Sequence, residues 1–314
     1  MITLKTKLHF AEAMVLMRRI SKSGLYTLLL CFTIFITSCA NEPDFYSAPR
    51  YYIALGDSVS TGYGLTVQEA SHTTLFFNQL KNKGHVDYYI NMAVNGSTTT
   101  TLLELLNNID NDNAGIFRNA RVITLNIGGN NILRTFTNYL SSLRITPPET
   151  DTLRAGTESI LSWALGIISD SLNIFSTLSG SFSPELRTDL NEALQTFADD
   201  FHAILSWLEK NAPKAIIIVN TVYNPIPQEV LGTSLEISSA ANILIESINA
   251  TISKESTSRN HLVSDIHSHL SNQLSLFKFN INPLAGDLSF DIIHPNAEGH
   301  NIIAQLNFDT FMQR

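Results

Sequence analysis

Short apolar runs rich in β-forming residues alternate with longer amphipathic segments along most of this chain of 314 residues. The short runs have the length of buried strands, and they lie at residues 51–55, 86–90, 121–127, 214–220 and 261–266. The amphipathic segments predict helices at residues 67–83, 98–109, 185–211, 239–254 and 296–312. Apolar strands that alternate with helices indicate a parallel sheet covered by helices on both sides.

One segment departs from this alternation. Residues 141–182 lie between the third strand and the long helix, and they contain Pro147-Pro148 followed by an apolar stretch around Trp163. We expect one or two apolar helices here, inserted into the fold. Such an insertion is either a lid over an apolar groove or a helical hairpin packed on the domain, and the pattern favours neither.

The first residues of the chain have the pattern of a secretory signal. Arg18, Arg19 and Lys22 precede an apolar run at residues 25–36. This run is too short for a comfortable transmembrane helix. Export of the chain is therefore expected.

The apolar run ends in Ile36-Thr37-Ser38-Cys39, which resembles the lipobox of bacterial lipoproteins. That resemblance implies that Cys39 is lipidated and becomes the first mature residue, which anchors the protein to a membrane. Ala40 follows, where an aspartate would favour the inner membrane, so the expectation is an outer-membrane lipoprotein; ordinary secretion is the alternative. The predicted divisions are a signal at 1–39, a tether at 40–49 and a domain at 50–314.

Composition limits the partners. The formal charge of -8 argues against a nucleic acid, which needs a basic surface. Both cysteines, Cys31 and Cys39, lie in the signal region, so no disulfide is expected in the mature domain. A cluster of histidines superficially suggests a metal site. His261, His267 and His269 lie near Asp265, but neither cysteine nor a His-x-x-x-His helix accompanies them.

A serine and a histidine stand in positions that suit nucleophilic catalysis. Ser58 follows the first strand in a glycine-flanked turn, and a serine becomes a nucleophile only when a base takes its proton. Asp291 precedes His294 by three residues, a spacing that lets the carboxylate accept from Nδ1–H and leaves Nε2 facing outward. Pro295 disfavours helix at His294. The alternative is a turn in which Asp291 caps a helix.

Acyl transfer also needs hydrogen-bond donors for the oxyanion. The candidates are the backbone N–H of Ser58, the backbone N–H of Gly96 and the side chain of Asn130. Taken alone, Asn95-Gly96 is also compatible with an ordinary turn, and Gly128-Gly129-Asn130 with an ordinary loop.

Together these segments resemble the GDSL, or SGNH, hydrolase family. The four matching blocks are Gly56-Asp57-Ser58-Val59-Ser60-x-Gly62, Asn91-Met92-Ala93-Val94-Asn95-Gly96, Gly128-Gly129-Asn130-Asn131 and Asp291-Ile292-Ile293-His294-Pro295. They occur in the family's order and span residues 50–312 apart from the insertion. Val59 stands where the family has leucine, which changes little. Asn131 stands where an aspartate is common, which makes the geometry of that loop harder to predict.

The resemblance implies a three-layer α/β/α fold of the flavodoxin-like type, with a five-stranded parallel sheet. It implies that Ser58 is the nucleophile, that His294 is the base and that Asp291 orients it. Ser58, Gly96 and Asn130 would form the oxyanion hole, and neither a cofactor nor a metal is implied.

The expected activity is that of a serine esterase or lipase. It would hydrolyse carboxylic esters of lipids, or of short-to-medium acyl chains, through an acyl-enzyme. Two alternatives remain open: a polysaccharide O-acetyl esterase, and an envelope lipoprotein that only binds its ligand.

Overall fold

A computed structural model describes residues 48–142, 184–224, 235–271, 273–282 and 287–314. The predicted signal (1–39), nearly all of the tether (40–49) and the predicted insertion beyond residue 142 lie outside these residues. Pro49–Arg314 forms one compact unit. Within the described residues, no helix has the length and apolarity to span a bilayer.

The five predicted strands form one parallel sheet. They are β1 (Tyr51–Gly56), β2 (Tyr88–Asn91), β3 (Ala120–Asn126), β4 (Ile216–Asn220) and β5 (Leu262–Ser264), in the spatial order β2-β1-β3-β4-β5. Neighbouring strands pair in parallel, for example Ile53 with Ile90 and with Ile123. This order is that of flavodoxin-like sheets, so the predicted fold class is confirmed.

Helices cover both faces of the sheet. They are α1 (Ser58–Thr61), α2 (His72–Asn82), α3 (Thr99–Asn107), α4 (Asn111–Arg118), α5 (Gly129–Ser142), α6 (Pro184–Asn211), α7 (Leu235–Ser258), α8 (Ile266–Leu270) and α9 (Ala297–Met312). Helix α2 begins five residues later than predicted, because the hydroxyl of Ser71 accepts the N–H of Thr74 and caps the helix there.

Alternating strand residues build two apolar layers. On one face, Ile53 and Ile123 pack with residues of α3, α4, α6 and α7, such as Phe197. On the other face, Tyr52 and Val122 pack with residues of α2 and α9. Successive strand side chains point to opposite faces of the sheet, so both faces are apolar and each is covered by helices. The result is the three-layer α/β/α arrangement.

A helix and a pair of strands near the site were not predicted. Helix α5 begins at Gly129, where the sequence suggested only a loop. Strands β6 (Phe277–Asn282) and β7 (Asp287–Pro295) form an antiparallel pair that lies outside the main sheet. Strand β7 ends at Pro295, and its residue His294 lies at the carboxyl edge of the parallel sheet. The pair of β6 and β7 therefore positions a residue of the site.

Candidate active site

The end of β1 presents Ser58 at the carboxyl edge of the sheet. Gly56 has φ 145°, and a Cβ there would lie 2.3 Å from the carbonyl oxygen of Asn126, so the turn requires glycine. Asp57 then caps α1, since its Oδ1 accepts the N–H of Val59 at 3.0 Å. Ser58 is the first residue of this short helix, and its side chain projects toward β7.

The structure brings Ser58, His294 and Asp291 together. Ser58 Oγ lies 2.8 Å from His294 Nε2, and His294 Nδ1 lies 2.9 Å from Asp291 Oδ2. The carboxylate only accepts, so Nδ1 carries the proton and Nε2 accepts from the serine hydroxyl. This is the arrangement in which a histidine takes a proton from serine.

Asp291 organises the end of β7, which carries His294. Asp291 Oδ1 accepts the backbone N–H of Ile293 at 3.1 Å and that of His294 at 3.0 Å. The alternative role of Asp291 as a helix cap is not what the structure shows, because Asn296 caps α9 by accepting the N–H of Gly299. Both oxygens of the carboxylate therefore face the histidine and its own turn.

The three expected oxyanion donors lie on segments joined to the end of β1. The N–H of Val94 donates to the carbonyl of Gly56 at 3.0 Å, which fixes the loop that carries Gly96, at φ 72°. Asn130 Nδ2 donates one of its two hydrogens to the carbonyl of Ser97 at 3.1 Å. Across the described part of the chain, the backbone N–H groups of Ser58 and Gly96 donate to no backbone carbonyl.

Asn131, the residue that departs from the family pattern, is firmly held. It is 8% exposed; its Oδ1 accepts the N–H of Thr99 at 3.2 Å and its Nδ2 donates to Thr99 Oγ1 at 2.8 Å. Thr99 Oγ1 in turn donates to Asp200 on α6 at 3.2 Å. These bonds connect the block Gly128-Gly129-Asn130-Asn131 to α3. The nearby carboxylate is that of Asp200, whereas the family pattern has one at position 131.

A further contact of His294 was not predicted. The ring of Tyr63 lies 4.9 Å from the His294 ring at 46°, and the N–H of Tyr63 donates to the carbonyl of Ser58 at 3.0 Å. The only signal in the sequence is an aromatic residue directly after Gly62 of the first block. Tyr63 thus forms one wall beside the serine–histidine pair.

The three histidines near Asp265 do not converge on one point. His261 Nε2 lies 3.1 Å from Glu209, His267 Nδ1 donates to the carbonyl of Val222, and His269 Nδ1 donates to the carbonyl of Asp265. Among the residues with described positions, no group of three or more histidine, cysteine or acidic side chains is arranged to hold a metal ion.

Asp57 carries a buried carboxyl beside the nucleophile. Burial raises the pKa of Asp57 from 3.8 to about 6, partly offset by the hydrogen bonds from Val59 N–H and Asn126 Nδ2 and by the charge of His294. Because the folded pKa lies above the unfolded one, folding is not penalised below pH 4. The penalty grows as the pH rises and is complete above pH 6.

We therefore expect Asp57→Asn to stabilise the fold at pH 8 by about 1–3 kcal/mol and to have little effect at pH 4. The amide oxygen of asparagine still accepts from Val59 and Asn126, while the buried charge is removed. Urea unfolding at the two pH values measures this difference. Asp87→Asn is the matched control. It should lower the stability at pH 8, because Arg50 lowers the pKa of Asp87 and so stabilises its charged form. An equal loss of stability at both pH values for Asp57→Asn would contradict the raised pKa of Asp57.

Comparison with known proteins identifies the family. The family model for GDSL-like lipases and acylhydrolases matches residues 54–302. The chain belongs to this family. The matched region of this GDSL-like chain contains Ser58, Gly96, Asn130, Asp291 and His294. No curated protein matches the sequence.

Solved structures of GDSL-like and other lipases share the fold. The lipase Lip_vut3 from a goat rumen metagenome has a TM-score of 0.56 at 16% identity, over 83% of this chain and 96% of that one. A candidate GDSL-like lipase from Parabacteroides merdae has a TM-score of 0.53 at 13% identity, over 87% and 100%. An extracellular lipase from Streptomyces rimosus has a TM-score of 0.51 at 18% identity, over 83% and 99%. At these identities the likeness concerns the fold alone.

Proposed function

We propose that this GDSL-type hydrolase is a serine esterase that cleaves carboxylic esters through an acyl-enzyme. The observation that carries the proposal is the continuous hydrogen-bonded line from Ser58 Oγ to His294 Nε2 and from His294 Nδ1 to Asp291. All three side chains stand at the carboxyl edge of the parallel sheet, where α/β proteins of this type place their chemistry.

In the first half of the reaction, Ser58 Oγ attacks the ester carbonyl carbon while its proton moves to His294 Nε2. The carbonyl oxygen takes up the negative charge, and the N–H groups of Ser58 and Gly96 and the second N–H of Asn130 supply its hydrogen bonds. The ester bond then breaks, and His294 returns the proton to the departing alcohol. The acyl group stays on Ser58 as an ester.

In the second half, a water molecule replaces the alcohol. His294 Nε2 takes a proton from the water, whose oxygen attacks the acyl carbon, and the same donors hold the oxyanion. The bond to Ser58 Oγ breaks, the serine regains its proton from His294, and the carboxylic acid leaves. Asp291 keeps its charge throughout and stabilises the protonated imidazole.

Two side chains near the site favour a substrate with an apolar acyl group. Val94 lies two residues before Gly96 on the same loop, and its apolar side chain is 52% exposed. The ring of Tyr63 lies against that of His294. Both side chains support esters of lipids or of short-to-medium acyl chains over acetyl groups on a polysaccharide.

A series of nitrophenyl esters tests the substrate proposal. We expect kcat/KM for the octanoyl ester to exceed that for the acetyl ester by at least about tenfold, because added methylenes gain apolar contacts. Val94→Ser should reduce the octanoyl rate and leave the acetyl rate unchanged. Tyr88→Ser is the control, since Tyr88 is equally exposed but stands at the opposite end of β2. A preference for acetyl would favour the polysaccharide O-acetyl esterase instead.

We further propose that the protein is exported and anchored to the outer membrane through a lipid on Cys39. The basic residues, the apolar run and the lipobox-like segment before Cys39 support this proposal. Partition of the full-length chain into a detergent phase, and release into the aqueous phase by Cys39→Ala, would be the expected result. Aqueous partition of the unchanged chain would favour ordinary secretion.

A further inference from the structure

The end of β7, which carries His294, has a second anchor, which comes from the segment that follows β4. The hydroxyl of Tyr223 donates to the backbone carbonyl of Ile293 at 2.5 Å, across 70 positions of sequence. That carbonyl belongs to the peptide bond between Ile293 and His294. Tyr223 is 7% exposed, so water does not compete effectively for this contact.

Both polar ends of this peptide bond are therefore engaged. Its N–H donates to Asp291 Oδ1 at 3.0 Å, and its carbonyl accepts from Tyr223. The orientation of the peptide plane fixes the direction in which the side chain of His294 leaves the backbone. A tilt of this plane would move Nε2 away from Ser58 Oγ.

Tyr223 is itself well placed to act as an anchor. The preceding residue, Val222, forms two hydrogen bonds with the side chain of Asn249, at 2.7 and 2.8 Å. The N–H of the following residue, Asn224, donates to Ser271 Oγ at 3.0 Å. The ring of Tyr223 packs 5.4 Å from that of Phe277. The phenol is thus held by α7, by the end of α8 and by β6.

The charge state of the phenol suits this contact. Burial, and the negative charges of Asp57 and Asp291, raise the pKa of Tyr223 well above its ordinary value. Only the protonated phenol can donate to a carbonyl, so the contact persists throughout the pH range in which His294 acts as a base.

We propose that Tyr223 is a positioning residue that holds the base His294 in line with Ser58 through the carbonyl of Ile293. The proposal rests on the proposed function, since it takes His294 to be the base. Tyr223 acts on the peptide backbone of His294, in contrast to Asp291, which contacts the imidazole as well.

Tyr223→Phe tests this role, because it removes one oxygen and keeps the ring. We expect kcat to fall about tenfold with KM within a factor of two, as a slightly misplaced base slows chemistry and leaves binding unchanged.

Tyr52→Phe is the matched control. Tyr52 is also buried, and its hydroxyl lies 2.8 Å from Thr124 Oγ1 on the neighbouring strand β3. Tyr52→Phe should show a comparable loss of thermal stability but an unchanged kcat. Should Tyr223→Phe be unfolded at the assay temperature, Asn249→Ala replaces it, since that change loosens Val222 and is expected to lower kcat in the same way.

The outcomes separate the two proposals. Wild-type kcat in folded Tyr223→Phe, or an equal loss of kcat in Tyr52→Phe, would overturn the positioning role. Activity that survives in Ser58→Ala would instead overturn the proposed function. A loss of kcat confined to the Tyr223 variants, together with inactive Ser58→Ala, is the expected result.

Discussion

Ser58→Ala is expected to lower kcat by at least roughly 10⁴-fold while leaving KM and the fold nearly unchanged. The substitution removes the atom that attacks the ester, so the acyl-enzyme route closes. The oxyanion donors and the binding surface remain, and they account for any slow hydrolysis that survives. Steady-state hydrolysis of a nitrophenyl ester measures the effect, with circular dichroism as the check on folding.

Ser60→Ala is the matched control for this prediction. Ser60 belongs to the same short helix and is 1% exposed, but its hydroxyl points to the carbonyl of Leu55 and not to His294. It should retain kcat within a few-fold. Activity near that of the wild type in carefully purified Ser58→Ala would refute the assignment of the nucleophile.

Asp291→Asn is expected to lower kcat by about 10³–10⁴-fold, the second largest effect. Two backbone N–H groups, of Ile293 and His294, require an acceptor at one end of this side chain. The amide oxygen of asparagine would take that place, which lies 3.0 Å from His294 Nδ1, and the amide nitrogen would stand at the position of Oδ2, 2.9 Å from the same ring atom. The amide N–H would then donate to Nδ1 and favour the tautomer with its proton on Nε2, which cannot accept a proton from Ser58.

Asp265→Asn controls for the loss of an aspartate that accepts a backbone N–H. Asp265 caps α8 through Ser268, outside the site, and its substitution should affect stability more than kcat. Raising the pH should recover little of the activity of Asp291→Asn, because the tautomer and not the degree of protonation is at fault. Wild-type kcat in Asp291→Asn would show that the carboxylate does not orient the base.

Most of the sheet followed from local pattern. Strands β1, β3 and β4 are continuous apolar runs with a layer of helices on each face, so burial on both sides leaves a clear record in the sequence. Strand β5 is shorter than its apolar run, because the residues after Ser264 turn into α8. The positions of Ser58 and Gly96 after predicted strands followed from the same pattern, whereas the strand that carries His294 was not predicted.

The contacts that support the site could not be predicted from the sequence pattern. Thr99 and Asp200 are 101 positions apart, and Tyr223 and Ile293 are 70 apart, so only the folded chain brings each pair together. Periodicity reports burial of one face and does not report the partner of a polar side chain.

Two errors of prediction have local causes. Helix α5 starts with Gly129 and two asparagines, which are weak helix formers, and tertiary packing overrides that preference. The pair of β6 and β7 contains too many polar residues to resemble a buried strand, and the positions of residues 283–286 lie outside the described part.

The most direct test of the central claim is the labelling of Ser58 by a phosphonofluoridate, which phosphonylates only an activated serine. We expect one adduct per wild-type molecule, mapped by mass spectrometry to the peptide that contains Ser58, and none in Ser58→Ala. Asp291→Asn should label much more slowly. Failure of the folded wild-type protein to react, while a known esterase reacts beside it, would contradict the account and favour a lipoprotein that only binds its ligand.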